Sequence, residues 1–252
     1  MSKKNRLQND TKLTTTATTG KKDKSEFVYQ GERLPFDLKI RDFPWTEKQK
    51  AFIEVALDKK TNYIFCQAPA GVGKTLLSVY VALKLLNEGK IKTIYFCRQP
   101  VESSSFGLGF LSGDLGSKME PYTLPMMDHL NELLSAGDIK KLLDAGFIQS
   151  IPVGFLKGRT FNNSLIIADE AEDFLAGDFR LIMGRLGKYS KMLLIGDQGQ
   201  INVKNSAFMK VFDLFNSEEC KDNGIYCLSF DSKDIMRNKI LGFVIDRFNF
   251  LK

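Results

Sequence analysis

The residues most suited to chemistry in this chain form the segment Ala68-Pro69-Ala70-Gly71-Val72-Gly73-Lys74-Thr75. An apolar run from Tyr63 to Cys66 precedes it and an amphipathic run from Leu76 to Leu83 follows it, which is the strand–loop–helix context of a phosphate-binding P-loop. Small residues let the backbone aim successive N–H groups at a triphosphate. The Lys74 ammonium can then reach the β- and γ-phosphates, and the Thr75 hydroxyl can hold Mg²⁺. We therefore predict a nucleoside-triphosphatase whose loop contacts come from Ala70, Gly71, Val72, Gly73, Lys74 and Thr75.

Ala68 stands where a P-loop usually has its first glycine. Alanine is compatible with that position provided that its φ angle is negative, because only a positive φ strains a residue that carries a Cβ. The alternative is an ordinary glycine-rich turn between a core strand and a helix. The flanking pattern favours the P-loop.

A pair of acids follows a second apolar run. Ser164 to Ala168 has the composition of a buried strand and leads directly into Asp169-Glu170-Ala171-Glu172. In P-loop ATPases the carboxylate that serves Mg²⁺ lies at the carboxyl end of a strand, which we expect beside the P-loop strand. This position predicts Asp169 as a Mg²⁺ ligand and Glu170 as the group that polarises the attacking water. The alternative is a helix whose first turn favours acids.

Polar residues also follow a third apolar run. Met192 to Ile195 ends in Gly196-Asp197-Gln198-Gly199-Gln200, which makes Gln200 a candidate for sensing the γ-phosphate or positioning water. An ordinary turn at a strand end is the alternative. The single histidine, His129, is expected on the surface of a helix.

These residues need a framework that brings strand ends together. Strands and helices alternate along the chain, which predicts an α/β fold with a mostly parallel sheet, helices on both faces and ligands at the carboxyl ends of the strands. A helix starts at Thr46, with Gln49 completing a capping box. The predicted strands are 63–66, 93–97, 148–152, 164–168, 192–195 and 225–228, and the other predicted helices are 75–89, 118–134, 138–145, 177–186 and one from about 232.

Composition places the chain among globular proteins. Its 252 residues are 43% hydrophobic and 26% charged, enough for one sizeable α/β domain or two small ones. There is no stretch of eighteen apolar residues and no apolar signal core at the amino terminus, so we expect no membrane partner. The four cysteines lack zinc or redox spacing and indicate free thiols in a reducing, cytoplasmic location.

Charge is concentrated at the amino terminus. Residues 1–24 carry seven lysines and arginines against two aspartates, although the whole chain has a net charge of only +6. We predict a disordered basic tail over residues 1–34 and one ATPase domain over residues 35–252. Such a tail adds affinity for nucleic-acid phosphates, or serves only as a solubilising segment.

Several motifs in a fixed order resemble one family, the PhoH-like ATPases, whose core is similar to the first RecA-like lobe of superfamily-one helicases. The similarity extends from about Pro44 to Phe248. Besides the P-loop and Asp169-Glu170, it rests on further matching segments: Leu108-Gly109-Phe110-Leu111-Ser112-Gly113-Asp114, Lys118 with Pro121-Tyr122, Gly158-Arg159-Thr160, Gly196-Asp197 with Gln200, and Asp234-Ile235-Met236-Arg237. The resemblance implies a RecA-like P-loop NTPase that uses ATP and Mg²⁺.

The chain departs from the family pattern at two places. Glu172 stands where the family has glutamine, which places an added carboxylate near the γ-phosphate. Gln99 separates Arg98 from Pro100, where the family has arginine followed at once by proline.

The resemblance also implies roles for single residues. Gln49 would hydrogen-bond the adenine edge, with an exposed helix glutamine as the alternative. Phe43 or Trp45 would stack on the base or simply anchor the core. Arg237 would neutralise charge on the γ-phosphate, or form a surface pair with Asp234. Because the chain holds one RecA-like lobe, a neighbouring subunit would complete each site, and the resemblance implies ring-shaped homo-oligomers, commonly hexamers.

Two functional hypotheses remain open from the sequence. The first is an ATPase that acts on RNA or single-stranded DNA as a helicase or remodeller, which the basic tail and a Ser/Gly-rich segment at 103–117 favour. The second is a regulatory or scaffold oligomer controlled by ATP, which the near-neutral body and Glu172 favour. A small-molecule kinase is disfavoured, because no acceptor-binding base is evident beyond the two acids.

Overall fold

A six-stranded parallel sheet forms the centre of the protein. The structure, a computed structural model, describes residues 33–99, 115–236 and 239–248. The strand order across the sheet is β3-β2-β4-β5-β1-β6, and every pair of neighbours is parallel. The strands are β1 Tyr63–Gln67, β2 Thr93–Arg98, β3 Ile148–Pro152, β4 Ser164–Ala168, β5 Lys191–Gly196 and β6 Ile225–Ser229.

Helices cover both faces of this sheet, as predicted. Alternate residues of β1 point to opposite sides, so Ile64 packs in the core on one face and Phe65 in the core on the other. The first core includes Phe52 and Leu77, and the second includes Phe179. The helices are α1 Glu47–Leu57, α2 Lys74–Asn87, α3 Leu115–Leu133, α4 Ala136–Asp144, α5 Ala176–Met183, α6 Phe208–Phe215, α7 Glu218–Asp222 and α8 Lys239–Phe248.

The predicted start of α1 is confirmed by its hydrogen bonds. The Thr46 hydroxyl accepts from the Gln49 backbone N–H, and the Gln49 side chain accepts from the Thr46 N–H. This reciprocal capping box holds the first turn of the helix in place beside the P-loop.

One predicted neighbour relation is wrong. We expected β4, which carries the acids, beside the P-loop strand β1, but β5 lies between them and pairs with both. The P-loop and the acids after β4 are nevertheless close together, because the Thr75 side chain at the start of α2 reaches Asp169. The Thr75 hydroxyl lies 3.1 Å from the Asp169 carboxylate.

The carboxyl-terminal helix begins later than predicted. Residues Ser232–Asp234 form a single 3₁₀ turn, and α8 starts at Lys239 rather than near 232. Side chains stabilise this turn locally, since the Asp231 carboxylate accepts from the Lys233 N–H and the Asp234 carboxylate accepts from the Asp231 N–H. The helices α6 and α7 were not predicted.

Some predictions concern residues outside those described. The basic tail, apart from its last two residues, and most of the Ser/Gly-rich segment at 103–117 belong to this group. None of the described helices is long and apolar enough to cross a membrane.

Candidate nucleotide-binding site

The P-loop joins the end of β1 to the start of α2. Gly71 and Gly73 have φ angles of +83° and +85°, which only glycine adopts without strain. Ala68 is buried and its φ is not positive, which meets the condition for alanine at this position. The amino terminus of α2 has no side-chain cap, so its N–H groups and its dipole are available to an anion.

The two predicted Mg²⁺ ligands lie next to each other. The Thr75 hydroxyl donates to Asp169 Oδ1 over 3.1 Å, and the Lys74 ammonium donates to the Ala68 carbonyl over 3.4 Å. Burial raises the pKa of the Asp169 carboxyl, and the nearby Arg98 and Lys74 cations oppose that effect. A hydroxyl and a buried carboxylate are hard oxygen donors, so they fit a Mg²⁺ ion that takes its other ligands from phosphate and water.

Arg98, which the sequence analysis did not assign to the site, holds both acids. It is the last residue of β2, which pairs directly with β4, so their carboxyl ends lie side by side. Its Nε lies 3.4 Å from Asp169 Oδ2, and its Nη2 donates to Glu170 Oε1. Its side chain is only 15% exposed. A charged residue ending a buried strand was the signal in the sequence that could have identified it.

Glu170 has an unusual backbone conformation. Its φ and ψ angles are 54° and 42°, in the left-handed region, which is uncommon for a residue other than glycine. The turn sends the chain away from β4 and leaves the Glu170 side chain 45% exposed, while Asp169 is buried. The two adjacent acids therefore have different environments, one inside the protein and the other accessible to solvent.

Glu172 is buried behind the site. Burial raises the pKa of its carboxyl to about 7, and the nearby backbone N–H groups of Glu172 and Asp197 and the Lys74 cation oppose that rise. A Cβ on Gly196 would lie 2.9 Å from Glu172 Oε2, so only glycine leaves room for this carboxyl at the end of β5. Glu172 is 3% exposed and is not among the residues that line the cavity next to the P-loop.

A cavity of about 460 Å³ lies against the P-loop. It brings together most of the predicted nucleotide contacts and two side chains of α3 that were not predicted. Its lining consists of Phe43, Pro44, Trp45, Gln49, Ala70, Gly71, Val72, Gly73, Lys74, Thr75, Leu76, His129, Glu132, Gln200 and Met236. Phe43 and Trp45 stand together, with ring centroids 5.2 Å apart.

The amide of Gln49 is already hydrogen-bonded within the protein. Its Nε2 donates to the Val72 carbonyl over 2.9 Å, and its Oε1 accepts from the Thr46 N–H. The side chain thus ties α1 to the P-loop, rather than being an exposed helix glutamine. An amide has a second N–H and a second lone pair, so contact with adenine stays a prediction.

Gln200 and His129 border the cavity from different sides. Gln200 is exposed at the end of the 3₁₀ turn Gln198–Gln200, which the Asp197 side chain caps. His129 was expected on the helix surface, but it is partly buried and faces the cavity, with its Nδ1 3.4 Å from Glu132 Oε1. The packing of α3 against the sheet places it there, and nothing in its local sequence indicates that position.

Arg159, which belongs to one of the matching segments of the sequence, is not among the residues that line the cavity. Arg159 lies over the rings of Tyr95 and Phe161, at 5.7 and 5.2 Å from their centroids. Arg237 is outside the described residues. Its predecessor Met236 donates a backbone hydrogen bond to the Gly71 carbonyl over 3.1 Å, so the chain at residue 236 contacts the P-loop.

Comparisons with known proteins agree with this geometry. The family model described as PhoH-like protein matches residues 43–249. A PhoH-like protein of Bacillus subtilis (strain 168) is 34% identical over 196 residues, which cover 77% of this chain and 60% of that protein. Protein PhoH of Escherichia coli (strain K12) is 30% identical over 187 residues, which cover 73% of this chain and 52% of that protein. The chain therefore spans little more than half the length of these relatives.

Proposed function

The chain belongs to the PhoH-like family, and from that premise we propose that it binds Mg²⁺–ATP at the P-loop and hydrolyses it to ADP and phosphate. The observation that carries this proposal is the contact between Thr75 and Asp169 at the amino terminus of α2. It joins an anion-binding helix end to a buried carboxylate, which is the arrangement that a metal-bound triphosphate requires.

Each residue of the site has one task in this scheme. The α2 amides and Lys74 would hold the β- and γ-phosphates, and Thr75 and Asp169 would hold Mg²⁺, which would supply positive charge at the phosphate oxygens. Glu170 accepts a proton from the water whose oxygen attacks the γ-phosphorus, while the bond between that phosphorus and the ADP oxygen breaks. Gln200, at the rim of the cavity, helps to position that water.

The direct test is hydrolysis by a P-loop variant. Lys74→Ala should lower phosphate release by about 100-fold or more, because it removes the cation that contacts the reacting phosphate. Lys50→Ala, an exposed lysine on α1, is the matched control and should retain full activity. Unchanged turnover in Lys74→Ala protein with a native circular-dichroism spectrum would reject the proposal.

We further propose that the protein couples ATP hydrolysis to action on RNA or single-stranded DNA, as a helicase or remodeller. The basic tail and the Ser/Gly-rich segment at 103–117 support this in the sequence. Stimulation of ATP hydrolysis by RNA would favour it, and deletion of residues 1–24 should then weaken binding and flatten its salt dependence, because seven cations are lost.

The second candidate function is a regulatory or scaffold oligomer that ATP switches between states. The buried Glu172 supports it, because an ionisable group between the ends of β4 and β5 can alter how the site responds to nucleotide. ATP-dependent assembly with no response of hydrolysis to RNA would favour this function. Both candidates are proposed for a cytoplasmic protein.

A further inference from the structure

A second cavity lies at the amino ends of the strands, on the opposite side of the sheet's strand ends from the P-loop. It has a volume of about 690 Å³ and is bordered by the starts of β1 and β5, whereas the P-loop follows the end of β1. Three loops form it: α1–β1, α2–β2 and α5–β5. We call it the lysine pocket, because its lining includes Lys59, Lys60, Lys90, Lys188 and Lys191.

Lys191 is the innermost of these cations. Its ammonium donates to the Thr61 carbonyl over 2.7 Å and to the Asp58 carbonyl. Both partners are neutral, and no carboxylate of the described residues forms an ion pair with it. Burial lowers the pKa of this ammonium to about 8. The ammonium is partly buried and is hydrogen-bonded to carbonyl oxygens, with the Asp58 carboxylate near enough to favour its charged form. A bound anion would stabilise this charge further.

Thr61 supplies an independent observation. Its side chain is 2% exposed and lines the lysine pocket. Its hydroxyl oxygen is buried and has no hydrogen-bond partner among the described residues. Buried polar groups in folded proteins nearly always have a partner, so an unpaired hydroxyl beside a cation indicates a missing ligand or water.

The remaining lining suits a ligand with an apolar or planar part. Leu57, Leu85 and Ile91 form walls of the pocket, while the exposed Lys60 and Lys188 stand in two different loops around it. Lysines that follow helices also interact with helix dipoles, which accounts for Lys60 and Lys90 after α1 and α2. That explanation does not extend to Lys188 and Lys191, which precede or begin β5, nor to the Thr61 hydroxyl.

We propose that the lysine pocket binds a small phosphate-bearing molecule with an apolar or planar body, the class to which nucleoside phosphates belong. The exposed ammonium groups of Lys60 and Lys188 face the phosphate, the Thr61 hydroxyl turns toward it to donate a hydrogen bond, and the aliphatic walls contact the body. The lysine pocket shares no lining residue with the cavity at the P-loop, so its ligand can be tested independently of the proposed ATP hydrolysis.

The test uses full-length protein carrying Lys74→Ala, which weakens phosphate binding at the P-loop and leaves the lysine pocket unchanged. Calorimetric titrations with pyrophosphate, with uridine monophosphate and with a ten-residue thymidine oligonucleotide separate the sources of phosphate. We expect saturable binding of uridine monophosphate and weaker binding of pyrophosphate. Hydrogen exchange should slow at residues 58–62 and 187–191 when the ligand is bound.

Variants locate the binding. The double variant Lys60→Glu with Lys188→Glu should weaken binding of uridine monophosphate at least tenfold, and Thr61→Val should weaken it several-fold. Neither should change the fold, because Lys60 and Lys188 are exposed and threonine and valine have the same shape. Lys140→Glu with Lys210→Glu, two exposed lysines of α4 and α6, imposes the same charge change elsewhere and should have no effect. Equal loss in this control, binding of the oligonucleotide alone, or no saturable binding would overturn the proposal.

Discussion

At the level of single residues, Arg98 interacts with both acids that follow β4. It contacts Glu170 and approaches Asp169, and it comes from β2 rather than from the P-loop strand. A cation in this place favours the charged form of the buried Asp169 carboxyl and so opposes the rise in its pKa that burial causes. Arg98 thus holds both acids in position in the nucleotide-free protein.

We predict that Arg98→Ala destabilises the nucleotide-free protein by about 2–4 kcal/mol, because it leaves Asp169 buried without its cation. Mg²⁺–ADP should restore part of that stability by supplying positive charge at the same carboxylate. Urea unfolding with and without Mg²⁺–ADP measures both effects. Arg98→Lys keeps the charge but loses the planar guanidinium fork, so its stability should lie between those of Arg98→Ala and the wild type. Equal stability of all three proteins would contradict this role.

Glu170 differs from Asp169 in exposure, which supports separate roles for the two acids in the proposed catalysis and metal binding. We predict that Glu170→Gln retains Mg²⁺–ATP but hydrolyses it about 100-fold more slowly, the usual scale for loss of a general base. Equilibrium binding of a fluorescent ATP analogue and single-turnover hydrolysis measure the two properties separately. Glu47→Gln, an exposed acid on α1, is the control. Parallel loss of binding and turnover would instead indicate a metal ligand.

At the level of elements, the carboxyl of Glu172 is buried against Gly196 at the end of β5. Its pKa is raised from an ordinary 4.5 to about 7 by burial. Between these values the folded protein keeps the proton while the unfolded chain releases it, so stability falls as the pH rises through this window and levels off above it. Below pH 4.5 both states are protonated and the penalty is absent.

We predict that Glu172→Gln removes this pH dependence. Relative to wild type, the variant should gain stability on the order of 3 kcal/mol between pH 4.5 and pH 7.5, since a neutral amide avoids the cost of a buried charge. Denaturant unfolding of the nucleotide-free proteins across that range measures it. Glu54→Gln, an exposed acid on α1, should change the profile little. A constant difference between Glu172→Gln and wild type at all pH values would reject the explanation.

A second link between elements joins α1 to the P-loop. Gln49 completes the capping box of α1 and hydrogen-bonds the Val72 carbonyl, so one side chain couples the helix start to the loop that holds phosphate. Movement of α1 when a base occupies the cavity would therefore reach the P-loop directly. Met236 contacts the loop from the other side, through Gly71.

At the scale of the whole molecule, no arginine of the described residues lines the cavity beside the P-loop. We propose that Arg237 of a neighbouring subunit closes it in a ring-shaped homo-oligomer, commonly a hexamer. We predict that Arg237→Ala keeps ATP affinity and assembly but hydrolyses slowly, because charge developing on the γ-phosphate is no longer neutralised.

Mixed assemblies test whether the site is shared. Arg237→Ala and Glu170→Gln subunits, allowed to exchange, should recover part of the lost activity, because some interfaces pair an intact Glu170 with an intact Arg237. An arginine that acts within its own subunit gives no such recovery, since neither polypeptide carries both groups. Mixtures no more active than the average of the two variants, or a fully active monomer, would exclude the shared site.

Local spacing was enough to predict the strand–loop–helix unit that contains the P-loop, the other strands, and the place of Asp169 and Glu170 after β4. The P-loop depends on residues within one strand–loop–helix unit, and each strand is marked by its own apolar run, so the fold class followed from short-range patterns. Tertiary structure decided what depends on distant segments: the place of β5 between β1 and β4, the contacts of Arg98 with both acids, and the position of His129 in the cavity. The lysine pocket also depends on tertiary structure, because its lysines come from three separate segments of the chain. Such contacts arise only when helices and strands pack, and sequence spacing carries no record of which elements will be neighbours.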